Sequence, residues 1–399
     1  MRHHLTLIRQ DPTLRLLCLL ALLFGIYMAS LGPYQSLLAI RVFGLSDSTY
    51  ALVLLASLAM SVGAAVGIGI ITDQRPSRRI MALAASAALV IGAALVWAEP
   101  SGAVFVLAHV LFFPVAGTVF GQIFAVARLV STPFPAPDRD AVLAIIRSLL
   151  ALPFVVILPL WGAAFERGLH LGTIYPALVL IGLAMMGAVI WRWPADTAAP
   201  WVEQKSGLGF RASLAEMVAG PVFLRVLLVG ALHSGGMLAG IIVGLSFAQA
   251  GLGAGPVGVF FGLFVAIEII TTLLIGTFVR YLPRLTLIAL GSYIYAVFLI
   301  LLPVLVASPQ VWLLVLPAGI GGGLMYALAL GYLQDLLGKR AGAGASLLAL
   351  GRISQDLLCA GVFALGTWIS GYGLVAVLGG LGVALAMSAL LWLDRHRPL

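Results

Sequence analysis

The chain has 399 residues, long enough for two ordinary soluble domains. Its composition excludes them: apolar residues make up 62% even with glycine left out, and only 9% are charged, against about a quarter in soluble domains. Its 22 Lys and Arg and 14 Asp and Glu cannot coat two globular surfaces, and a mean hydropathy of +1.15 sets most side chains against lipid or one another. The net charge of +8 does not point to nucleic acid, because the basic residues are scattered between apolar runs rather than gathered on one face. The chain reads as a polytopic membrane protein.

A bilayer core needs about 20 apolar residues per helix. Breaks at Pro, Gly and charge predict spans at 14–40, 49–72, 80–98, 102–128, 141–165 and 173–193. A more polar stretch follows, and then spans at 221–250, 256–279, 285–306, 310–333, 343–369 and 373–393. The expected architecture is all-α, with twelve transmembrane helices in two halves: residues 1–193, a cytoplasmic linker at 194–220, and residues 221–399. The first span is too long for the apolar core of a signal peptide, and eleven more follow it, so it is kept as a membrane helix.

Arginine and lysine recur on every second connection: Arg2, Arg9 and Arg15 at the start, then Arg75, Arg78 and Arg79, Arg139, Lys205 and Arg211, Arg280 and Arg284, Lys339 and Arg340, and finally Arg395 and Arg397. The opposite side carries Arg41 and Arg167. By the positive-inside rule both termini and the linker are cytoplasmic. Cys18 and Cys359 sit far apart in apolar runs and build neither a disulfide framework nor a metal site. Trp97, Trp191, Trp193, Trp201 and Trp392, near span ends, are expected in interfacial belts.

The halves echo each other. Gly69-Ile-Ile-Thr-Asp73-Gln-Arg75-Pro-Ser-Arg78-Arg79 follows the second span, and Gly276-Thr-Phe-Val-Arg280-Tyr-Leu-Pro283-Arg284 stands at the matching place after the eighth. A short basic loop alone would satisfy orientation, but orientation does not need the acid at Asp73. The first copy resembles the signature loop of the major facilitator superfamily, Gly-x-x-x-Asp-Arg-x-Gly-Arg-Arg, with Gln74 and Pro76 as departures. That resemblance implies two six-helix bundles, a midplane cavity and alternating access. It also makes Asp73 a residue that locks the cytoplasmic side; with it we group Arg78, Arg79, Arg128, Asp335 and Arg352 as candidate gating residues.

A narrower resemblance is to the bacterial sugar efflux transporters. It is carried by Pro33 with Ser36-Leu37, by Gln122-x-Phe124-Ala125-x-Ala127-Arg128, by Arg147, by Glu268 followed by Gly276, and by Gln334-Asp335 with Gly338 and Arg340-Ala341-Gly342. Pro283-Arg284 and the Arg352/Asp356 pair depart from it. It implies a monomeric exporter of sugars or glycosides in the bacterial inner membrane, driven by proton antiport.

A charge at a helix centre costs roughly 2.5–3.5 kcal/mol on insertion scales, so each one asks for a reason. Glu268 falls near the middle of the eighth span and has no basic residue within a turn of it. Apolar surroundings favour its neutral form, which suits a carboxyl that loads and releases a proton. A hydrogen bond to a neighbouring helix, a direct bond to substrate hydroxyls, or a partnership with Arg147 are the alternatives. Arg352 and Asp356 are four residues apart and share a helix face, so they can pair as structure or as function. Pairing keeps the carboxylate charged, and Asp356 is the second choice for proton coupling after Glu268.

The spans that line the cavity in the superfamily hold polar and aromatic side chains suited to a hydroxyl-bearing ring. The candidates for substrate binding are Tyr27, Tyr34 and Gln35 in the first span, His109 and Gln122 in the fourth, and Arg147 and Trp161 in the fifth. His233, Glu268 and Tyr326 complete the set, and Ser30 lies on the stripe of Tyr27 and Tyr34. The glycines at 319–323 are expected to let helices approach, or to act as a hinge. Export of drugs or amphipathic metabolites is the rival reading. An intramembrane enzyme would need His-Glu-x-x-His or Gly-x-Ser-x-Gly, a nucleotide-driven pump a Walker lysine, and none occurs. No cofactor is expected; the partners are a small molecule, protons and the lipid bilayer.

Overall fold

A computed structural model describes residues 2–74, 78–194, 220–337 and 341–396 of the chain. The side chains of 69–70, 73–74, 334–337 and 341–349 fall outside the described residues as well, and with them the expected gating residues Asp73 and Asp335. The expected linker at 194–220 lies almost wholly outside them, as does Trp201.

Hydrocarbon offers no water to backbone N–H and C=O groups, so a spanning segment must satisfy them internally, and a helix does so. The helices are α1 (Arg2–Gln10), α2 (Pro12–Val42), α3 (Asp47–Gln74), α4 (Arg78–Ala98), α5 (Gly102–Val130), α6 (Ala136–Glu166) and α7 (Ile174–Arg192). After the undescribed stretch come α8 (Gly220–Gln249), α9 (Ala254–Phe278), α10 (Arg284–Leu305), α11 (Val315–Leu337), α12 (Ala341–Ile369) and α13 (Tyr372–His396). Eleven of these stretches are long and apolar enough to cross a membrane. The expected span at 343–369 coincides with α12, of 29 residues. No strand occurs among the described residues.

One helix was not foreseen. The sequence reading treats the first residues as a basic flank, whereas Arg2–Gln10 forms α1, with Ile8 buried and Leu5, Arg9 and Gln10 exposed. Asp11 then starts α2 by accepting from the N–H groups of Thr13 (2.7 Å) and Leu14 (2.9 Å), with Pro12 at the first helical position. His4 Nε2 lies 3.0 Å from Asp138 Oδ1 and ties α1 to α6. Two membrane helices widen by one turn into π geometry, at Leu38–Val42 in α2 and Ala108–Phe112 in α5. In α5 the cause is local: Pro114 has no N–H and crowds the carbonyl four residues before it, and the wider turn lies directly ahead of it.

Contacts divide the chain into two units. The first takes Met1–Gly32, Leu38–Leu45 and the chain from Ala56 to the undescribed stretch; in it α2 packs on α6 and α7, and α4 on α7. The second takes Pro33–Leu37, Ser46–Leu55 and everything after that stretch. There α10 packs on α11 and α13, α8 on α12 and α13, and α9 on α11. Its two early segments are hydrogen-bonded within it: Ser36 Oγ donates to the Ile241 carbonyl at 2.7 Å, and the Tyr372 hydroxyl donates to Asp47 at 2.8 Å.

The second unit holds an ion pair that the sequence did not announce. Arg225 is fully buried one turn into α8; its Nε donates to Asp394 Oδ1 of α13 at 2.6 Å and its Nη2 to the Leu393 carbonyl at 3.3 Å. The Tyr332 hydroxyl of α11 meets both oxygens of Asp394 at 3.0 Å. Three helices are thus joined through one carboxylate. Asp394→Asn is expected to destabilise the protein by about 3 kcal/mol, because it leaves a guanidinium buried without its counter-charge. Thermal unfolding in detergent checks this, and Arg225→Met combined with Asp394→Leu should lose less than the single change.

Candidate functional site

In the second unit the position of Glu268 is set by backbone contact between α9 and α11. A Cβ on Gly319 would stand 2.8 Å from the Phe264 carbonyl and 2.6 Å from Ile267 Cβ. On Gly323, one turn later, it would stand 2.9 Å from the Glu268 carbonyl and 2.8 Å from Thr271 Cβ. Any larger residue at either position would force the helices apart, which is the packing role expected of small residues here. Glu268 has no hydrogen-bond or ion-pair partner among the described residues.

Groups from α10 and α11 stand near it, and through them one from α8. Tyr295 of α10 and Tyr326 of α11 lie within electrostatic reach of Glu268. The Tyr326 ring stacks on His233 of α8, with centroids 4.8 Å apart and planes at 29°, and its hydroxyl donates to the His233 carbonyl at 3.2 Å. Tyr295 presents its edge to Tyr326 at 6.4 Å. The Tyr295 hydroxyl and His233 Nε2 are shielded from solvent and make no hydrogen bond among the described residues. On α12, Arg352 Nε donates to both oxygens of Asp356 at 3.1 and 3.0 Å. The side chain of Asp356 is 13% exposed against 63% for Arg352, and Arg352 lies within electrostatic reach of His233.

The arrangement therefore offers a carboxyl, a phenol and an imidazole nitrogen that make no hydrogen bond among the described residues, beside a stacked pair of rings. Such a set can bond the hydroxyls of a ring-shaped ligand and cover its apolar face. No group of His, Cys, Asp or Glu among the described residues could hold a metal ion.

The polar residues named from the first unit mostly have partners within that unit. His109, on the π turn of α5, is 2% exposed; its ring stacks on Phe105 at 3.7 Å, with Phe113 at 4.6 Å and Tyr175 at 6.2 Å. Nδ1 bonds the Phe105 carbonyl at 2.9 Å, so in the neutral ring it carries the proton, and Nε2 is an acceptor with no partner among the described residues. Gln122 accepts from Arg78 at 3.3 Å, which joins a candidate binding residue to a candidate gating residue. Arg79 Nη2 donates to the Ile190 carbonyl at 2.8 Å. Trp161 Nε1 donates to Ser30 Oγ at 2.9 Å, so the indole N–H expected for substrate already has an acceptor on the stripe of Tyr27 and Tyr34. Arg147 is exposed and lies over the Phe124 ring at 5.9 Å; Arg128 is exposed too. Tyr27 is buried against Phe24 and Phe113. Of the first-span residues grouped with the second unit, Tyr34 is fully buried and Gln35 half-buried.

One expectation needs correction, and one residue was missed. Trp193 does not belong to an interfacial belt: it is 4% exposed, whereas Trp97, Trp191 and Trp392 are 59%, 86% and 55% exposed. Arg225 has no role in the sequence reading, which runs the seventh span through it, because nothing local points to Asp394.

The fold is all-α among the described residues, with helices of membrane-spanning length gathered in two units. No protein-family model matches the chain, and no curated protein matches it in sequence. Among solved structures it is similar to the nucleoside transporter NupG, at 14% identity over 97% of this chain and 99% of that one, with a TM-score of 0.72. A point mutant of NupG aligns over 96% of this chain and 99% of its own, at 11% identity and a TM-score of 0.76. At such identity the likeness is one of fold.

Three variants probe the geometry. A Cβ at Gly236 of α8 would run into the Tyr326 hydroxyl, so Gly236→Ala should push the ring off His233 and weaken several-fold the binding of a ligand that stacks there, while the helical content stays unchanged. Ligand-binding titration and circular dichroism separate the two effects. Arg352→Ala should destabilise the protein more than Asp356→Asn, since only the former leaves a mostly buried carboxylate without its partner; thermal unfolding of both variants tests the order.

Proposed function

We propose that the protein is a secondary active transporter that exports sugars or glycosides across the bacterial inner membrane by alternating access and proton antiport. The observation that carries this reading is Glu268: a carboxyl well inside a membrane helix, without a partner among the described residues, near two tyrosines and a histidine-tyrosine stack. Carboxyls inside membrane segments are costly and are kept for function. In this reading Glu268 takes up a proton when open to one side and releases it when open to the other. Tyr295, Tyr326 and His233 supply the neutral hydrogen-bonding and stacking groups that a sugar ring wants. Asp356, held by Arg352, takes a secondary part in coupling.

Nucleosides are glycosides in chemical terms, and the likeness in fold to NupG makes them natural test ligands beside disaccharides. The outward direction, the antiport and the inner membrane follow the resemblance to sugar efflux transporters. The monomeric state follows it too, and the cytoplasmic termini follow the arginine distribution. In the same reading Arg78 and Arg79 belong to the cytoplasmic gate, as do Asp73, Arg128, Asp335 and Arg352. Tyr27, Tyr34, Gln35, His109, Gln122, Arg147 and Trp161 contribute to the binding surface. The division into residues 1–193 and 221–399 around a linker at 194–220 is part of the proposal.

Purified protein in proteoliposomes is expected to accumulate a labelled disaccharide or nucleoside when a pH gradient is imposed, and not without one. Glu268→Gln should abolish gradient-driven accumulation while leaving exchange of the same substrate across the membrane. Gradient-driven accumulation that survives Glu268→Gln would remove the coupling assignment. Movement of a cationic dye in place of both labelled substrates would favour the export of drugs or amphipathic metabolites.

A further inference from the structure

Tyr295 has no place in the sequence reading, and the structure sets it apart from the other polar groups near Glu268. It is fully buried, whereas Glu268, His233 and Tyr326 are half-buried, so a ligand entering the cluster reaches it last. Its hydroxyl makes no hydrogen bond among the described residues. A buried phenol without an acceptor is costly, and an acceptor brought within reach recovers that cost.

The glycines of α11 fix which acceptor is nearby. A Cβ on Gly321 would stand 2.7 Å from the Tyr295 nitrogen and 3.0 Å from its Cα. Two residues on, a Cβ on Gly323 would stand 2.9 Å from the Glu268 carbonyl. Between them, a Cβ on Gly322 would meet the Phe264 ring at 3.2 Å and the Tyr295 ring at 3.6 Å. One short stretch of α11 therefore touches α9 at Glu268 and α10 at Tyr295, and the two side chains lie within electrostatic reach of each other. Phe264, Phe298 and Tyr326 surround the Tyr295 ring, with centroids at 6.4, 5.3 and 6.4 Å, so the phenol turns its O–H more readily than it moves its ring.

The other ionisable groups around the cluster are engaged elsewhere. The Tyr326 hydroxyl donates to the His233 carbonyl, Arg352 holds Asp356, and Arg225 holds Asp394. Cys359 lies within reach of Tyr326 and Asp356, and α9 carries no charged residue besides Glu268.

We infer that the Tyr295 hydroxyl is a positioning donor for the charged form of Glu268, and so sets the pH at which that carboxyl exchanges its proton. When the proton leaves Glu268, the phenol O–H turns to the carboxylate; when it returns, that bond slackens. The phenol keeps its own proton throughout. A hydrogen bond from a neutral donor favours the charged carboxylate, so its loss favours the protonated form. The use of this device in coupling rests on the transport reading.

The test follows the carboxyl directly. Infrared difference spectra of the full chain in liposomes are recorded across a pH range, and the protonated-carboxyl band that Glu268→Gln removes gives the midpoint. Tyr295→Phe keeps the ring and is expected to raise that midpoint by about one pH unit, a tenfold gain in proton affinity. Tyr326→Phe and Ser292→Ala should move it far less: the first hydroxyl is engaged with His233, and the second is a buried, unbonded group one turn away on α10. Thermal unfolding of Tyr295→Phe should match that of the unaltered protein, since the hydroxyl has no bond within the described residues to lose. A midpoint that stays in place, an equal rise in Tyr326→Phe or Ser292→Ala, or a clear loss of stability in Tyr295→Phe would each overturn the proposal. A Glu268 band that does not titrate would overturn it as well. Uptake of the labelled disaccharide separates this from the transport reading: its pH profile should shift upward with the band in Tyr295→Phe. A raised band midpoint in a protein that accumulates no substrate would support the hydrogen bond and remove the transport reading instead.

Discussion

The absence of water from a bilayer core is the constraint on which everything else in this chain depends. It forces the backbone into helices and also sorts the charged and polar side chains by whether they find a partner. Arg225 has Asp394 and Arg352 has Asp356, while His4 meets Asp138 and Arg78 meets Gln122. Set against these, Glu268 stands out: an acid well inside a helix that no described residue neutralises or hydrogen-bonds. Its interest as a functional residue comes from this contrast more than from its position in the sequence.

Close packing then decides where such a group is held. Gly319 and Gly323 let α11 touch the backbone of α9 on both sides of Glu268, so the carboxyl projects from a seam where the two helices cannot slide freely. On α8 the same device is used for a side chain: the missing Cβ at Gly236 is the space into which the Tyr326 hydroxyl reaches. The stacked rings of His233 and Tyr326 thus depend on a glycine as much as on their own chemistry. Under the transport reading rigid placement matters, because hydrogen bonds to a sugar-like ligand are directional and a loosely held ring would lose them.

The spans were legible in the sequence because a run of about 20 apolar residues is a strong signal that survives errors of a few residues at each end. The pairing of Arg352 with Asp356 was legible for a similar reason, since residues four apart on a helix are neighbours whatever the tertiary structure does. Contacts between distant segments were not. Arg225 and Asp394 are 169 residues apart, Trp161 and Ser30 131, and Arg78 and Gln122 44, and no local pattern joins the two members of a pair. Trp193 misled for another reason: position near a span end favours an interfacial belt, but tertiary packing covered it while leaving Trp191 bare.

These long-range contacts change how polar residues weigh as site candidates. In the first unit Trp161 and Gln122 were attractive because they carry donors and acceptors, yet the structure shows each bonded to Ser30 or Arg78. In the second unit the Tyr295 hydroxyl and His233 Nε2 remain without hydrogen bonds among the described residues, and so does the carboxyl of Glu268. A polar group already satisfied gains little by exchanging its partner for a ligand, whereas a buried group without one gains the whole bond. In the first unit His109 Nε2 is the comparable case, a buried ring nitrogen without a hydrogen bond among the described residues. Under the transport reading, α8 to α11 would then hold both the coupling acid and the strongest ligand contacts, so that substrate and proton act on the same packed seam.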